Sequence, residues 1–243
     1  MSFLTSAQII SQACLTAKVP KYTTNAGQLL NMILGDLCNY DLDVNRGLFT
    51  FTFNGSTSGP YPLAPDWLRA NVSDVFYTIL GVAYIMVPIS MAEFDALVQQ
   101  AGLNSYPGYY AVDNSPISTG KPPNMYVWPP PSGAFPVTCR YYRQMPDIVV
   151  PETNNTPPWF PSQLYLLRRL TGEVMLLSGD QRAAMFLNGE TQTKDGTFLG
   201  ASALLKAYLK NKDDSQVVKT ASLDRRRFGT NYNRLPNTKT IGW

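Results

Sequence analysis

The 243 residues of this chain include no histidine, the side chain that most often does acid–base chemistry in enzymes. Catalytic triads with an imidazole base and ordinary histidine metal sites are therefore excluded. Two carboxylates can still hydrolyse a glycosidic bond. We expect the acidic residues here to cap helices and close turns instead, and we predict no catalytic residue, no metal and no cofactor. The acidic residues of the central region are Asp66, Asp74, Glu93, Asp113, Asp147 and Glu152.

Three short segments resemble active-site motifs but lack residues that the motifs require. GSTSG at Gly55–Gly59 has threonine at the nucleophile position and precedes a proline, not a helix. DLDVNRG at Asp41–Gly47 begins like a calcium loop, but Thr52 stands where a bidentate glutamate is needed. STGKPP at 118–123 lacks the spacing of a phosphate loop. We interpret these segments as a hairpin tip, a turn into a strand and a loop.

The C-terminal segment, 212–243, combines cations with large apolar side chains and has no hydrophobic periodicity. Cations neutralise phosphates and aromatic rings stack on bases, so single-stranded nucleic acid is one possible partner. Arginine also pairs with carboxylates and aromatic rings fill pockets, so a second interpretation is that the segment docks on a protein. A third interpretation is that it forms a solvated, disordered end. The apolar residues favour docking. The candidate docking residues are Arg225, Arg226, Arg227, Phe228, Tyr232, Arg234, Leu235 and Trp243.

The charge of the chain is unevenly distributed. Residues 1–205 carry 11 Lys/Arg and 14 Asp/Glu, a net charge of −3. Residues 206–243 carry 9 Lys/Arg and 3 Asp, a net charge of +6, so the whole chain has a net charge of +3. A basic end predicts an acidic partner, either nucleic acid or an acidic protein groove. Charged residues make up only 15% of the chain, against about 25% in typical soluble domains. This shortage favours a homo-oligomer.

The cysteine pattern and the hydropathy predict a protein made in a cytoplasm. Cys14, Cys38 and Cys139 are far apart and odd in number, so we expect reduced thiols, not disulfides. The N-terminal residues lack the basic and apolar regions of a signal peptide, and we expect none. The longest apolar stretch, Val75–Val87, is shorter than the roughly 20 residues that span a bilayer. We therefore predict no membrane segment.

Hydrophobic residues recur at intervals of three and four near both ends of the chain, which predicts helices there. Thr24 or Asn25 would cap the second helix, Ser90 and Glu93 would form a capping box, and Pro161 suits a first helical position. The predicted helices cover 5–18, 24–40, 91–100, 161–178, 180–188 and 197–210. The predicted buried stripe of the helix after Pro161 is Leu164, Leu167, Leu170, Val174 and Leu177.

Between these helices the hydrophobic period changes to two. LFTFTF at Leu48–Phe53 alternates as a strand with one wet face. Residues 101–123 and 143–158 are predicted loops. Pro-Pro-Pro-Ser-Gly, at 129–133, would join two strands as a hairpin while lying outside the sheet, because proline lacks an amide donor. The predicted strands are 48–53, 61–63, 74–80, 82–87, 125–128 and 137–142.

This order of elements predicts an α+β fold with an inserted domain. Residues 1–46 and 159–211 would form a terminal helix bundle. Residues 47–158 would form an antiparallel β-domain inserted into it. Residues 212–243 would form an extended basic tail without a core of its own.

The arrangement resembles the podovirus-type head-to-tail adaptors of tailed bacteriophages, a family also called tail tubular protein A or head-completion proteins. The resemblance covers about residues 5–210. It is carried by the two N-terminal helices and by four sequence segments. These are LAPDWLR at 63–69, SMAEF at 90–94, MYVWPPP followed by VTCRYYRQMPD, and the helix beginning at WFPSQ.

The resemblance implies a non-enzymatic virion protein, made in the host cytoplasm. It implies a ring of twelve copies beneath the portal protein at the capsid vertex. The helices and the C-terminal segment would face the portal, with the candidate docking residues on its lower rim. The β-domain would face the downstream tail protein, the nozzle or tube. DNA would pass through the lumen without specific binding.

Two other functions agree with the same residues. A phage tail or baseplate component could contact host glycans through the aromatic β-domain. A nucleic-acid-binding protein could act through its basic C-terminal segment.

Overall fold

The computed structural model of the chain describes residues 3–70, 74–99, 104–193 and 196–210. Within these ranges the fold is α+β, as the sequence predicts. The chain divides into two compact units. The helical unit comprises Met1–Ile33 and Ile148–Trp243, and the β-unit comprises Leu34–Asp147.

The described residues form helices and strands with the following bounds. The helices are α1 Ser6–Thr16, α2 Thr23–Leu37, α3 Met91–Val98, α4 Gln163–Leu177, α5 Ala183–Leu187 and α6 201–210. The strands are β1 Arg46–Thr52, β2 Tyr61–Pro62, β3 Trp67–Arg69, β4 Val75–Ile79, β5 Val82–Ile85, β6 Val87–Pro88, β7 Tyr109–Asp113, β8 Asn124–Trp128, β9 Pro136–Arg143, β10 Glu190–Thr193 and β11 Gly196–Leu199. Short 3₁₀ turns lie at Asp43–Asn45 and Ser115–Thr119.

The first two helices have different N-terminal caps. In α1 the side chain of Thr5 accepts a hydrogen bond from the Gln8 amide at 3.3 Å, and the Gln8 side chain accepts one from the Thr5 amide at 2.9 Å. This reciprocal pair satisfies two amides that the helix itself leaves free. The predicted cap of α2 is wrong. The Ala26 amide donates to the Tyr22 carbonyl at 2.8 Å, so the helix already includes Thr24 and Asn25.

The helical unit is organised around α4, which packs against α1 and α5. The buried face of α4 follows Leu166, Leu170 and Val174, which recur every four residues. The predicted stripe is right for Leu170 and Val174 but wrong for Leu164 and Leu177, which are exposed. Leucines occur on several faces of this helix, so periodicity alone does not select the buried one. Contact with α1 and α5 does.

The ends of α4 are set by backbone hydrogen bonds. Ser162 occupies the N-cap position, so Pro161 precedes the helix, and its predicted place at the first helical position is wrong. At the other end Gly179 adopts φ +73° and donates its amide to Leu176, while the Asp180 amide donates to Met175. This Schellman arrangement needs a left-handed residue, which glycine supplies at little cost. The predicted helix stop at Gly179 is confirmed.

The β-unit contains two sheets. One has the strand order β1–β9–β4–β5, and its fifth strand, β3, pairs with the C-terminal end of β9 at Tyr142 and Arg143. The other has the order β2–β8–β7–β6. The pairs are antiparallel apart from β6 and β7, which run parallel. The unit's hydrophobic core includes Phe53, Tyr61, Trp67, Val75, Tyr77, Met86, Met125, Val127, Val137 and Cys139.

The predicted hairpin of residues 125–128 and 137–142 is wrong, although both strands exist. β8 pairs with β2 and β7, whereas β9 pairs with β1, β3 and β4. The prolines of the link 129–131 lack amide donors and therefore cannot continue a tight antiparallel ladder. The chain consequently leaves one sheet and enters the other.

Four strands were missed, since β3, β7, β10 and β11 lie outside the predicted strands. β7 occupies part of the predicted loop 101–123, where Pro107, Gly108 and Asn114 closely flank a five-residue strand. β10 and β11 form a hairpin where a helix was predicted to begin at 197. Their threonines and Phe198 favour strands, and Gly196 has φ +127°. The last helix therefore starts only at 201.

Candidate assembly surface

The acidic residues of the central region stabilise local structure. Both the amide and the hydroxyl of Ser90 donate to the Glu93 carboxylate at 2.8 Å, which confirms the capping box of α3 and lowers the pKa of Glu93. Asp113 accepts two hydrogen bonds from Ser115 at 2.9 Å and begins a 3₁₀ turn. Asp66 accepts a hydrogen bond from the Tyr141 hydroxyl at 2.7 Å. Burial, followed by this contact, raises the pKa of Tyr141.

The other three acidic residues are placed differently. The Asp74 carbonyl accepts a hydrogen bond from the Arg140 amide at 2.7 Å, and Glu152 lies beside Gly27 of α2. Burial and, to a smaller extent, Asp147 raise the pKa of Cys38. Among the hydrogen bonds of the described residues, none joins two of the six carboxylates. The expected roles in a cap and a turn are confirmed for Glu93 and Asp113.

The motif-like segments form loops and turns, but the interpretation of Gly55–Gly59 as a hairpin tip is wrong, because β1 pairs with β9 and β2 pairs with β8. The Thr57 hydroxyl donates to Asn54, and the Tyr61 hydroxyl donates to the Thr57 carbonyl at 2.6 Å, within the loop between β1 and β2. Asp41 accepts hydrogen bonds from Tyr142 and Arg46 and precedes the turn into β1. Within the described ranges, no group of three potential ligands could hold a metal ion.

The cysteines are free and buried. Burial raises the pKa of all three thiols, that of Cys139 to about 12. The thiolate is the reactive form of cysteine. These side chains therefore act as small apolar core residues.

The eight candidate docking residues of the C-terminal segment lie outside the described residues. These are Arg225, Arg226, Arg227, Phe228, Tyr232, Arg234, Leu235 and Trp243. Their role stays a prediction.

The hairpin of β4 and β5 exposes an apolar surface that the sequence analysis did not identify. Every residue of β5 is exposed, although the ring of Tyr84 is partly covered by its neighbours Tyr77 and Tyr106. The exposed fractions are 55% for Val82, 43% for Tyr84 and 57% for Ile85, and Leu80 at the tip is fully exposed. A strand at a sheet edge usually carries charges that prevent pairing with another chain. Residues 75–88 contain no charged residue, and this was the available sequence signal.

The tip of this hairpin has an unusual backbone conformation. Ile79 pairs with Val82, so Leu80 and Gly81 form a two-residue turn, with φ +49° and +82°. Positive φ at both positions is characteristic of a type I′ turn, in which Asn-Gly is the preferred pair. A leucine there costs about 1–2 kcal/mol in backbone energy. Because Leu80 is fully exposed, no packing within the described residues offsets this cost.

The opposite edge of the same sheet is β1. Its Leu48 is 66% exposed, and Phe49 and Phe51 are only partly buried although they pack against the core. Residues 48–65 contain no charged residue either. Apart from Arg46 at the start of β1, both edges of the sheet are therefore uncharged and partly apolar.

The aromatic side chains of the β-unit pack on one another. Tyr84 stacks on Tyr77 with ring centroids 5.4 Å apart and on Tyr106 at 6.5 Å. Phe135 contacts both Tyr77 and Tyr106. These rings form a protein-packed cluster, so the aromatic content gives no specific support to glycan binding.

No helix among the described residues is long and apolar enough to cross a bilayer. A family model described as SU10 adaptor protein matches residues 4–193. The match starts before α1 and ends at the last residue of β10. A search of curated proteins found no match.

Proposed function

Because this chain belongs to the SU10 adaptor protein family of phage head-to-tail adaptors, we propose that it forms a ring beneath the portal protein, joins the portal to the phage tail and lets DNA pass. The main observation in support of this proposal is the family match over residues 4–193, which includes parts of both compact units. The family is a structural one.

In the proposed virion, twelve copies surround the DNA without specific contacts. Residues 1–46 and 159–211 form the helical bundle that faces the portal. Residues 47–158 face the downstream tail protein. The low content of charged residues, 15%, supports extensive contacts with neighbouring proteins, since charges are depleted where interfaces are buried.

The C-terminal segment, 212–243, is the proposed portal-docking element. Its arginines would pair with carboxylates, and Phe228, Tyr232, Leu235 and Trp243 would fill pockets. Ordering such a segment costs about 1 kcal/mol per residue in backbone entropy, which limits the affinity of one copy. A ring presents many segments at high effective concentration, so the assembled ring binds far more tightly than one copy.

The test is binding of the full chain, and of a truncated chain ending at residue 210, to portal rings from the same phage. A variant with Arg225→Ala, Arg226→Ala and Arg227→Ala tests the cations. A control removes two exposed cations of the β-unit, which faces away from the portal, with Lys121→Ala and Arg140→Ala. We expect the full chain and the control to bind, and the other two to lose binding.

The outcomes separate the two parts of the proposal. Undiminished binding of the truncated chain would reject the docking role of 212–243 while leaving the adaptor assignment intact. Salt-sensitive DNA binding that disappears in the arginine variant, without portal binding by the full chain, would favour a nucleic-acid-binding protein instead.

A further inference from the structure

The β1–β9–β4–β5 sheet is open at both edges. Among the described residues, no other segment forms backbone hydrogen bonds with the outer edge of β5 or of β1. Both edges expose apolar side chains, and the segments 48–65 and 75–88 carry no charge. Open edges offer rows of free amides and carbonyls to another strand, and proteins normally protect them with charges or coverage. An unprotected pair of edges indicates that both are covered in the assembled state.

The strand directions permit these two edges to meet each other in neighbouring copies. β1, β9, β4 and β5 are successively antiparallel, so β5 runs opposite to β1. A rotation about an axis along the strands preserves strand direction. It therefore places β1 of the next copy antiparallel to β5 of the first. Such a head-to-tail contact uses two different surfaces and closes into a ring when the rotation permits.

We propose that β5 of each copy pairs with β1 of the next copy, which joins the sheets of neighbouring β-units around the ring. This inference rests on the proposed ring and names the surfaces that form it. Main-chain hydrogen bonds would supply affinity, and the alternating side chains would set the register. The occupant of the β5 edge is thus a second copy of this chain.

The ladder of the sheet indicates which residues meet. One rung runs through Tyr84, Tyr77, Val137 and Phe51. The next rung runs through Ile85, Phe76, Thr138 and Thr50. A rotation about an axis along the strands adds no shift along them. Tyr84 therefore faces Phe51 of the next copy on the core side, and Ile85 faces Thr50 of the next copy on the other side.

The contact would bury apolar side chains together with the strand backbone. Val82, Tyr84 and Ile85 of β5 are 55%, 43% and 57% exposed, and Phe51, which would face Tyr84, is only partly buried. The proposed rungs of Phe51 and Thr50 lie at the other end of β1 from Arg46, so the contact buries no uncompensated ion.

The test introduces lysine at each edge separately in the full chain. Ile85→Lys and Thr50→Lys change exposed positions, so each variant should fold, which circular dichroism and urea unfolding verify. Ile117→Lys is the matched control, since Ile117 is 51% exposed in the 3₁₀ turn between β7 and β8. Self-association is measured by analytical ultracentrifugation at high concentration and on portal rings. We expect each edge variant to weaken it by at least about tenfold, with the control unchanged.

Mixing the two variants identifies the pairing. The Ile85→Lys chain keeps an intact β1 edge and the Thr50→Lys chain keeps an intact β5 edge. The mixture should therefore form one-to-one complexes that cannot grow. If two β5 edges paired with each other, Thr50→Lys would have no effect and mixing would restore nothing, and the proposal would be overturned.

A cysteine pair tests the register directly. In a chain with Ile85→Cys and Thr50→Cys, mild oxidation should produce a ladder of disulfide-linked multimers, while the single variants should not. Absence of this ladder, or of any self-association by the unmodified chain in solution and on portal rings, would overturn the edge pairing. Portal rings that bind the Ile85→Lys chain normally, at full occupancy, would also overturn it but would leave the adaptor function standing.

Discussion

Replacing Leu80 by asparagine should stabilise the β4–β5 hairpin. Leu80 has φ +49° and is fully exposed, so the substitution relieves an unfavourable backbone conformation without removing buried apolar surface. A leucine in the left-handed region costs about 1–2 kcal/mol, and asparagine tolerates this region better. We expect Leu80→Asn to stabilise the hairpin by roughly 1 kcal/mol, since asparagine recovers only part of the cost.

Hydrogen exchange of the β4 and β5 amides measures this gain locally. If exchange occurs through opening of the hairpin, roughly 1 kcal/mol corresponds to about fivefold slower exchange. Leu80→Ala is the matched control, because alanine removes the exposed side chain but has the same difficulty with positive φ. Equal protection in the asparagine and alanine variants, or faster exchange in Leu80→Asn, would refute the assignment of strain to this turn.

Further predictions concern packing, thiol reactivity and pH. A Cβ on Gly172 would lie 2.6 Å from a leucine of α5, so Gly172→Ala should destabilise the chain by about 1–3 kcal/mol and lower its thermal midpoint. Gly35 occupies an open helical position, so Gly35→Ala should instead stabilise the chain by about 0.5–1 kcal/mol. Burial raises the pKa of Cys139 to about 12, so no thiol should react with an alkylating reagent until the protein is denatured, and labelling of the folded chain would contradict this. Hydrogen bonds from Arg182 lower the pKa of Asp180 to about 2. The stabilising contribution of Asp180 should therefore be present above the pKa of the unfolded chain, near 4, and should disappear as the pH falls towards 2. NMR titration of this carboxyl group near pH 4 would contradict this, and Asp180→Asn should remove this pH dependence.

Local patterns predicted the elements that depend on neighbouring residues. The sequence correctly predicted three such features: the capping box at Ser90 and Glu93, the helix stop at Gly179 and the alternation in β1. Each is fixed by contacts within a few residues. The strands that pair with β8 and β9 could not be predicted from the sequence. A strand's own sequence determines which residues face the core but not which distant strand lies beside it.

The interface proposed here depends on exposure, which sequence patterns describe poorly. The apolar run 75–87 was correctly interpreted as strands about Gly81, but such runs usually indicate burial on both faces. The structure places β5 at an edge, where the same residues are exposed. The absence of charge over 75–88 becomes informative only when this edge position is known.

The most direct test of the adaptor assignment is electron microscopy of portal rings from the same phage, incubated with the full chain. The proposal predicts a second ring bound at one face of the portal, coaxial with it and saturating at a fixed number of copies, twelve by the family resemblance. A folded chain that leaves the portal rings bare at every concentration would contradict the adaptor function. Copies scattered over the portal without symmetry would contradict the ring.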